Sequence, residues 1–162
     1  MFWILFLSAL VSCGQQDDQR EFEREAYSSP ENFTETQNGH EIVREDPDDW
    51  RIAPFFEGLV DEVTPAWPNP VQSTDAVNLQ VTLSGTQSVM GFTLYPLDPE
   101  TGELRAPIFD DQGTHDFGIL SIQFNANELF EFTNPESRVD LYRVVLFDRN
   151  GNIISYGDIM VN

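Results

Sequence analysis

Residues 142–161 read YRVVLFDRNGNIISYGDIMV and contain the clearest strand and turn pattern in the chain. Alternate residues of its first part form the inward face of a predicted strand: Tyr142, Val144 and Leu146. A second apolar run, Ile153 to Val161, predicts the last strand. Asn150-Gly151 lies between the two runs and is the strongest hairpin signal in the chain, because a type I′ turn needs positive φ at both central positions. These residues predict an antiparallel hairpin.

The same period of two recurs upstream in short runs separated by turns. The inward-facing sets are Val77, Leu79, Val81 and Leu83, then Met90, Phe92 and Leu94, and then Leu120, Ile122 and Phe124. Residues 96–102, PLDPETG, predict a tight connection. An edge strand over Phe55–Val63 and a short strand over Arg105–Phe109 bring the total to about seven strands. The pattern therefore predicts an all-β fold, an immunoglobulin-like antiparallel β-sandwich.

Two segments resemble known β-sandwich families. Residues 142–147 followed by Asn150-Gly151 resemble the penultimate strand and final hairpin of fibronectin type III domains. Residues 66–71, AWPNPV, resemble the opening of the C-terminal β-sandwich modules of secreted Bacteroidota-like proteins. Both resemblances imply a fold and leave the function open, because the same sandwich supports many functions.

The charge of the chain is strongly negative. Its 162 residues hold 28 Asp and Glu against 8 basic residues, none of them lysine, which gives a formal net charge of −20. Such a surface repels phosphate backbones, so nucleic-acid binding is not expected. The aromatic share of 12% is too high for a wholly disordered acidic chain, and a folded core is expected. Divalent cations and basic proteins are the partners that this charge favours.

The first twelve residues have the character of a targeting segment. Residues 1–11 are an apolar run too short for the 20 or so residues that cross a bilayer as a helix. The run ends in Leu10-Val11-Ser12-Cys13, which resembles the lipobox of bacterial lipoproteins. The resemblance implies a signal peptide over residues 1–12, removed before Cys13, and covalent lipid on the Cys13 thiol and α-amine. Several acyl chains then anchor the protein to a membrane.

The residues after Cys13 suggest where that membrane lies. Gly14 stands where retention in the inner membrane is associated with aspartate, so the resemblance favours the outer membrane. Residues 15–18, QQDD, resemble the acidic export signal of surface lipoproteins in Bacteroidota-like bacteria. The cell surface and the periplasmic face both stay open. The alternative reading of Cys13 is a buried core cysteine on an N-terminal strand.

The sequence divides into three parts. Residues 1–12 are the predicted signal peptide and residues 50–162 the predicted β-sandwich domain. Residues 13–49 are rich in acids and poor in apolar periodicity, and they predict a flexible tether. A flexible chain of that length spans about 30–36 Å, which would hold the domain clear of the membrane.

The acidic connections of the domain are candidate cation ligands. One set is Asp98, Glu100 and Glu103, and the next is Asp110, Asp111, His115 and Asp116. If the two loops meet at one end of the sandwich, their oxygens could surround Ca²⁺. The alternative is that they are solvated loops. A catalytic role for Asp111 and His115 is not predicted, because no serine lies in a Gly-x-Ser-x-Gly motif.

The sequence leaves two functions to compare. The first is a lipid-anchored envelope protein whose non-enzymatic sandwich binds an envelope protein through its loops or a free edge strand. The second is a lipoprotein that binds calcium or a small ligand through acidic loops 98–116. No catalytic residues and no resident cofactor are predicted.

Overall fold

A computed structural model describes residues 7–37, 39–130 and 140–162, with side chains from residue 16 onward. Two antiparallel sheets form the body of the molecule. One consists of β3 (Val60–Val63), β4 (Ala76–Leu83) and β7 (Gly118–Asn125), in the order β3-β4-β7. The other consists of β5 (Val89–Pro96), β6 (Phe109–His115), β8 (Leu141–Phe147) and β9 (Ile153–Met160), in the order β6-β5-β8-β9. This is an immunoglobulin-like β-sandwich, as the sequence predicts.

The core lies between the two sheets. Its three-stranded side is the alternating face of β4, where Val77, Leu79 and Val81 are fully buried. Strand β8 carries no such alternation, because every residue from Tyr142 to Phe147 is buried. Its inward face meets the other sheet, and its outward face is covered by the N-terminal part of the chain. A strand buried on both faces reads as a continuous apolar run, which is what the sequence contains here.

Two predicted strands differ in position. The edge strand expected over Phe55–Val63 is shorter, since residues Pro54–Phe56 form a 3₁₀ turn and pairing begins only at Val60. The prediction of a strand over Arg105–Phe109 was wrong, because the strand begins at Phe109 and continues to His115. The run DDQGTH holds no apolar alternation; β6 lies at a sheet edge, and in this run only Asp111 and His115 are partly buried.

Met90 was expected to face inward and is 42% exposed. The pairing of β5 with β6 shifts register between Met90 and Phe92, where Gly91 alone, with φ of 68°, lies opposite Gln112 and Gly113 of β6. This irregularity breaks the alternation of β5, so Met90 does not share the inward face of Phe92. Phe92 and Leu94, after the bulge, are buried as predicted.

The final hairpin is confirmed, but its turn is not type I′. Gly151 has φ of 83°, whereas Asn150 does not take positive φ. The loop is held by the Asp148 carboxylate, which accepts hydrogen bonds from the backbone N–H groups of Asn150 (2.9 Å) and Asn152 (2.8 Å). An aspartate at the start of a turn supplies acceptors that the backbone alone lacks. A register shift beyond Leu146 then aligns β8 with β9.

The prediction of a flexible tether over residues 13–49 was wrong for the part of this range that the structure describes. Helix α1 (Leu7–Ala26) ends with Phe22 and Ala26 buried against the sandwich. It is followed by the hairpin of β1 (Glu35–Gln37) and β2 (Glu41–Arg44), which is joined to the sandwich by the backbone bonds between Thr36 and Asn69. Most of the charged residues of these elements are exposed, so the bulk composition hid the few buried contacts that fix the elements to the sandwich.

Trp50 closes the open side of the sandwich beside β9. It has φ of 59°, and its ring lies over Gly157, where a Cβ atom would stand 2.1 Å from the indole. Its backbone N–H donates to the Tyr156 carbonyl, and Ala53 donates in the same way to Ile154. The last strand is thus covered along its edge by the segment that leads into the domain.

Among the helices that the structure describes, none combines the length and hydropathy needed to cross a membrane.

Candidate functional site

Cys13, the predicted lipidation site, lies in helix α1, and its side chain is outside the described residues. Of the signal peptide predicted over residues 1–12, residues 1–6 lie outside the described residues and residues 7–12 belong to the first turns of α1. The first described anchoring contact comes six positions later, where the Gln19 side-chain oxygen accepts a hydrogen bond from the Phe55 N–H at 2.9 Å. At 1.5 Å per helical residue, Cys13 is about 9 Å along the axis from that contact.

The acidic candidates Asp110 and Asp111 lie on strand β6, not in a loop. Asp110 pairs across the sheet with Thr93 and accepts a hydrogen bond from its hydroxyl at 3.0 Å. Asp111, the next residue, accepts the Gly113 N–H at 2.6 Å and lies 3.2 Å from the Nε2 atom of His115. Neighbouring residues of a strand point to opposite faces, so the two carboxylates cannot converge on one ion.

The remaining two candidates also have separate partners. The His115 ring packs edge to face on Phe92, with 5.4 Å between the ring centroids. Asp116 accepts a hydrogen bond from the Ser88 hydroxyl. The earlier acidic loop is a turn of its own, in which Asp98 accepts the N–H groups of Glu100 and Thr101, both at 2.9 Å. These bonds lower the pKa of Asp98.

The predicted calcium site is therefore not assembled. Within residues 16–37, 39–130 and 140–162, no group of three or more His, Cys, Asp or Glu side chains is placed to hold a metal ion. The alternation of side chains along β6 is the physical reason, since it distributes the four candidates over both faces and a corner.

The structure brings together a different set of charged residues, which the sequence reasoning missed. On the outward face of the four-stranded sheet, Arg143 and Asp158 lie opposite each other on β8 and β9. Two parallel hydrogen bonds join them, Nε to Oδ1 at 2.7 Å and Nη2 to Oδ2 at 2.6 Å. Asp158 is 1% exposed and Arg143 is 8% exposed. Two parallel hydrogen bonds fix the relative orientation of the two side chains. Loss of either partner would leave the other as an unpaired buried charge.

The third nitrogen of Arg143 reaches the end of helix α1. Nη1 donates to the Glu25 carbonyl at 2.7 Å, to the Ser28 carbonyl at 3.1 Å and to the Ser28 hydroxyl at 2.8 Å. Carbonyls of the last helical turn have no partner inside the helix, and a cation there also suits the helix dipole. One guanidinium thus caps the helix and joins it to the sheet.

A second arginine makes a parallel connection nearby. Arg51 donates from Nη2 to Glu25 Oε2 at 2.5 Å and to the Tyr156 hydroxyl at 2.8 Å. The Tyr156 ring packs on Phe22 of the helix, with 5.0 Å between ring centroids. Burial raises the pKa of Tyr156, although the hydrogen bond from Arg51 acts against this rise. We call Glu25, Arg51, Arg143, Tyr156 and Asp158 the docking cluster.

Asp49 extends the docking cluster toward the hairpin of β1 and β2. Its carboxylate accepts the backbone N–H of Thr34 at 2.7 Å and that of Asp158 at 2.9 Å. Burial, followed by the charge of Asp158, raises the pKa of Asp49 to about 8. Burial likewise raises the pKa of Asp158, against the effect of Arg143. The charge of Asp158 thus disfavours ionisation of the neighbouring Asp49 carboxyl.

The sequence held a signal for this cluster. Arg143 and Asp158 are single charged residues inside two otherwise apolar strands. Counting back from a two-residue turn at Asn150-Gly151 places 143 opposite 158, so opposite charges at those positions indicate a cross-strand ion pair. No sequence signal indicates that Glu25 and Ser28, more than 110 positions away, complete it.

Two surface depressions lie on the four-stranded sheet. A cleft of ≈ 180 Å³ lies directly over it and is bordered by Glu31, Asp46 and Asp48 in addition to members of the cluster. A wider groove of ≈ 500 Å³ lies on the same sheet, with Tyr95, Phe147, Asp110 and Arg149 in its walls. The cleft is anionic in character, whereas the groove combines aromatic side chains with both signs of charge.

Comparison with known proteins gives little beyond the architecture. No protein-family model matches the chain, and no curated protein sequence matches it. Among solved structures, the chain is similar to an AA10 lytic polysaccharide monooxygenase from Streptomyces lividans, at 14% identity and a TM-score of 0.33. The aligned region covers 61% of this chain and 61% of that one. A likeness of this size carries no argument about activity.

Proposed function

We propose that this protein is a bacterial lipoprotein of the outer membrane, anchored through lipid on Cys13, whose β-sandwich binds an envelope protein without catalysing a reaction. The observation that carries the proposal is the course of the chain directly after Cys13. The segment that follows a lipobox would here be a helix whose last turns are built into the sandwich through Phe22, Ala26 and the docking cluster.

This arrangement would hold the domain close to the membrane. The helix would extend about 9 Å from the lipid-bearing Cys13 to the Gln19 contact, so the domain would have little freedom to move away from the membrane. A flexible acidic tether would instead allow the domain to move over tens of ångströms. A short structured arm suits a protein that presents one fixed surface to a neighbour on the same membrane.

The use of the polar side chains supports a binding role. Asp110, Asp111, His115 and Asp116 are each engaged by a neighbouring residue of the sheet. The most buried ionic groups, Arg143 and Asp158, join secondary-structure elements to one another. A partner with a basic surface would be attracted by the net charge of −20, and nucleic acid would be repelled.

The test is the chemistry of the mature N-terminus together with membrane fractionation. Mass spectrometry is expected to find a chain that begins at Cys13 and carries a diacylglyceryl group and an amide-linked acyl chain. Cys13→Ala is expected to keep residues 1–12 and to lose the lipid-dependent membrane association. Ser12→Ala, which keeps a small residue before the cysteine, is the matched control and should behave like the parent. A parent protein that retains residues 1–11 with an unmodified Cys13 would refute the proposal.

A further inference from the structure

Sheet edges offer unpaired backbone groups to other chains, and folded proteins usually protect them. Four strands lie at the edges of the two described sheets. Strand β9 is covered, because its backbone carbonyls bind the N–H groups of Trp50, Ala53 and Val71. Strands β3 and β6 each carry two acidic residues and an interrupted register with the neighbouring strand. Coverage thus protects β9, whereas charge and irregular register disfavour further pairing at β3 and β6.

Within the described residues, strand β7 has none of these protections. Its eight residues, GILSIQFN, hold no charge and no proline, in a chain with 28 acidic residues. All eight pair with β4 in a continuous register that runs from Ala76 with Asn125 to Leu83 with Gly118. A long, regular and uncharged edge strand is the kind that accepts another strand.

The free hydrogen-bonding groups of β7 can be identified from the neighbouring strands. The backbone N–H and C=O groups of Asn78 in β4 both bond to Trp67, on the side of β4 opposite β7. Asn78 and Gln123 of β7 therefore form a non-hydrogen-bonded pair. By the alternation of an antiparallel ladder, Ile119, Ser121 and Gln123 direct their N–H and C=O groups away from β4. In the part of the chain that the structure describes, no backbone group bonds to these three residues from the outer side.

The surroundings of this edge are apolar or neutral. Ile119 is 63% exposed and Phe117, just before the strand, is 83% exposed. On the outward face next to the edge, Gln123 donates to the Asn78 side chain at 2.8 Å and Gln80 donates to Ser121 at 3.4 Å. An uncharged strip thus runs the length of β7.

We propose that β7 is a self-association site, where the β7 strands of two copies pair antiparallel and join their three-stranded sheets into one six-stranded sheet. The same patch serves both copies, so the contact closes under a two-fold axis. Core-facing residues of one strand, Leu120 and Ile122, then continue the core-facing side of the other. A second copy fits this edge because the edge has no charge to select an ionic ligand.

Electrostatics separates this occupant from a basic partner. Two copies, each with a net charge of −20, repel one another over most of their surfaces, and the neutral strip is where that repulsion is smallest. Salt at 0.1 M screens the repulsion between charges that are more than about 10 Å apart. Self-association should therefore strengthen as salt is added. Binding of a basic partner would weaken under the same change.

The two-fold axis also places both membrane anchors on one side. Core-facing sides match only if the axis is perpendicular to the sheet. Helix α1 packs on the outward face of the other sheet, through Phe22 on Tyr156, so both helices lie on the same face of the dimer. This orientation rests on the proposed function, whereas the pairing itself does not. A single strand pair is smaller than a typical stable interface, and confinement to one membrane would strengthen it.

The first experiment measures self-association of the full chain in detergent by analytical ultracentrifugation, with NaCl raised from about 0.05 M to about 0.5 M. We expect a dimer whose dissociation constant falls several-fold with salt. Ser121→Glu places two like charges across the two-fold axis and should raise the constant at least tenfold. Gln112→Glu adds the same charge at an exposed position of β6 and should leave the dissociation constant unchanged. Association that weakens with salt, or that responds equally to both variants, overturns the proposal.

The second experiment locates the contact. In a Cys13→Ala background the chain holds no cysteine, so Ser121→Cys supplies a single thiol. A bifunctional maleimide with a reach of about 5–8 Å, the separation of opposite and diagonal positions in a sheet, should link two copies. Thr114→Cys, exposed on β6, is the matched control. Equal yields from the two positions, or no product from Ser121→Cys, overturn the proposal without bearing on the lipid anchor.

Discussion

Replacing Arg143 with methionine tests how the N-terminal part of the chain is held to the sandwich. Methionine keeps an unbranched apolar stem and removes the guanidinium, so the Asp158 carboxylate, 1% exposed, loses both of its charged hydrogen bonds. Breaking one side of a buried ion pair typically costs about 3–5 kcal/mol. The helix end also loses three bonds from Nη1 to Glu25 and Ser28. We expect Arg143→Met to destabilise the fold by about 3–5 kcal/mol.

The assay is urea denaturation of the full chain, with amide hydrogen exchange over residues 19–28. Exchange in the last turns of the helix should accelerate more than exchange in β4, because Arg143 caps that helix end. The matched control is Arg24→Met, since Arg24 pairs with Glu21 at 3.2 Å while both side chains are largely exposed. Exposed pairs contribute about 0–1 kcal/mol.

A double variant separates the charge from the packing. In Arg143→Met with Asp158→Leu no buried charge is left unpaired, so most of the stability lost in the single variant should return. The helix should still exchange faster, because the bonds to Glu25 and Ser28 stay absent. If Arg143→Met costs no more than Arg24→Met, or if helix exchange stays unchanged, the docking cluster does not hold the helix.

Three further predictions concern single positions. Gly157→Ala should destabilise the fold by at least about 1–3 kcal/mol, because the new Cβ would stand 2.1 Å from the Trp50 ring. Urea denaturation measures this loss, and a smaller loss would mean that the Trp50 ring moves freely. Asp49 has its pKa raised to about 8, so the folded state holds a proton that the unfolded state releases near pH 4, and stability falls as pH rises between those values. Asp49→Asn should flatten the dependence of the melting temperature on pH between 5 and 8, whereas Asp48→Asn should not. Asp148→Ala should lower stability by about 1–3 kcal/mol through loss of the turn's acceptors, and an unchanged denaturation midpoint would contradict that role.

The β-sandwich could be predicted because its strands follow local rules. The alternation in β4 and the turn signal at Asn150-Gly151 depend on neighbours within about ten residues. Errors arose where a local rule was interrupted, as at the register shift beside Gly91, where Met90 lies outward. The turn at Asp148 likewise depends on one carboxylate that accepts several hydrogen bonds, and this replaced the expected type I′ geometry.

The candidate site was predicted less well, for a different reason. Acidic residues at 110–116 are close in sequence, but the alternation of a strand separates them. The residues that do meet, Glu25, Arg51 and Arg143, come from three distant segments. Each is one charge in a chain with many, so composition could not single it out.

The amino-acid sequence was enough to predict the fold class, most strands of the sandwich, the strongly negative charge and a lipid on Cys13. These follow from patterns that a few adjacent residues set. The packing of the acidic N-terminal segment on the sheet became visible only in the folded chain, as did the fact that β7 is the edge without protection among the described residues. Both depend on which surfaces come together at long range, where a buried contact such as Phe22 on Tyr156 outweighs the polar composition around it.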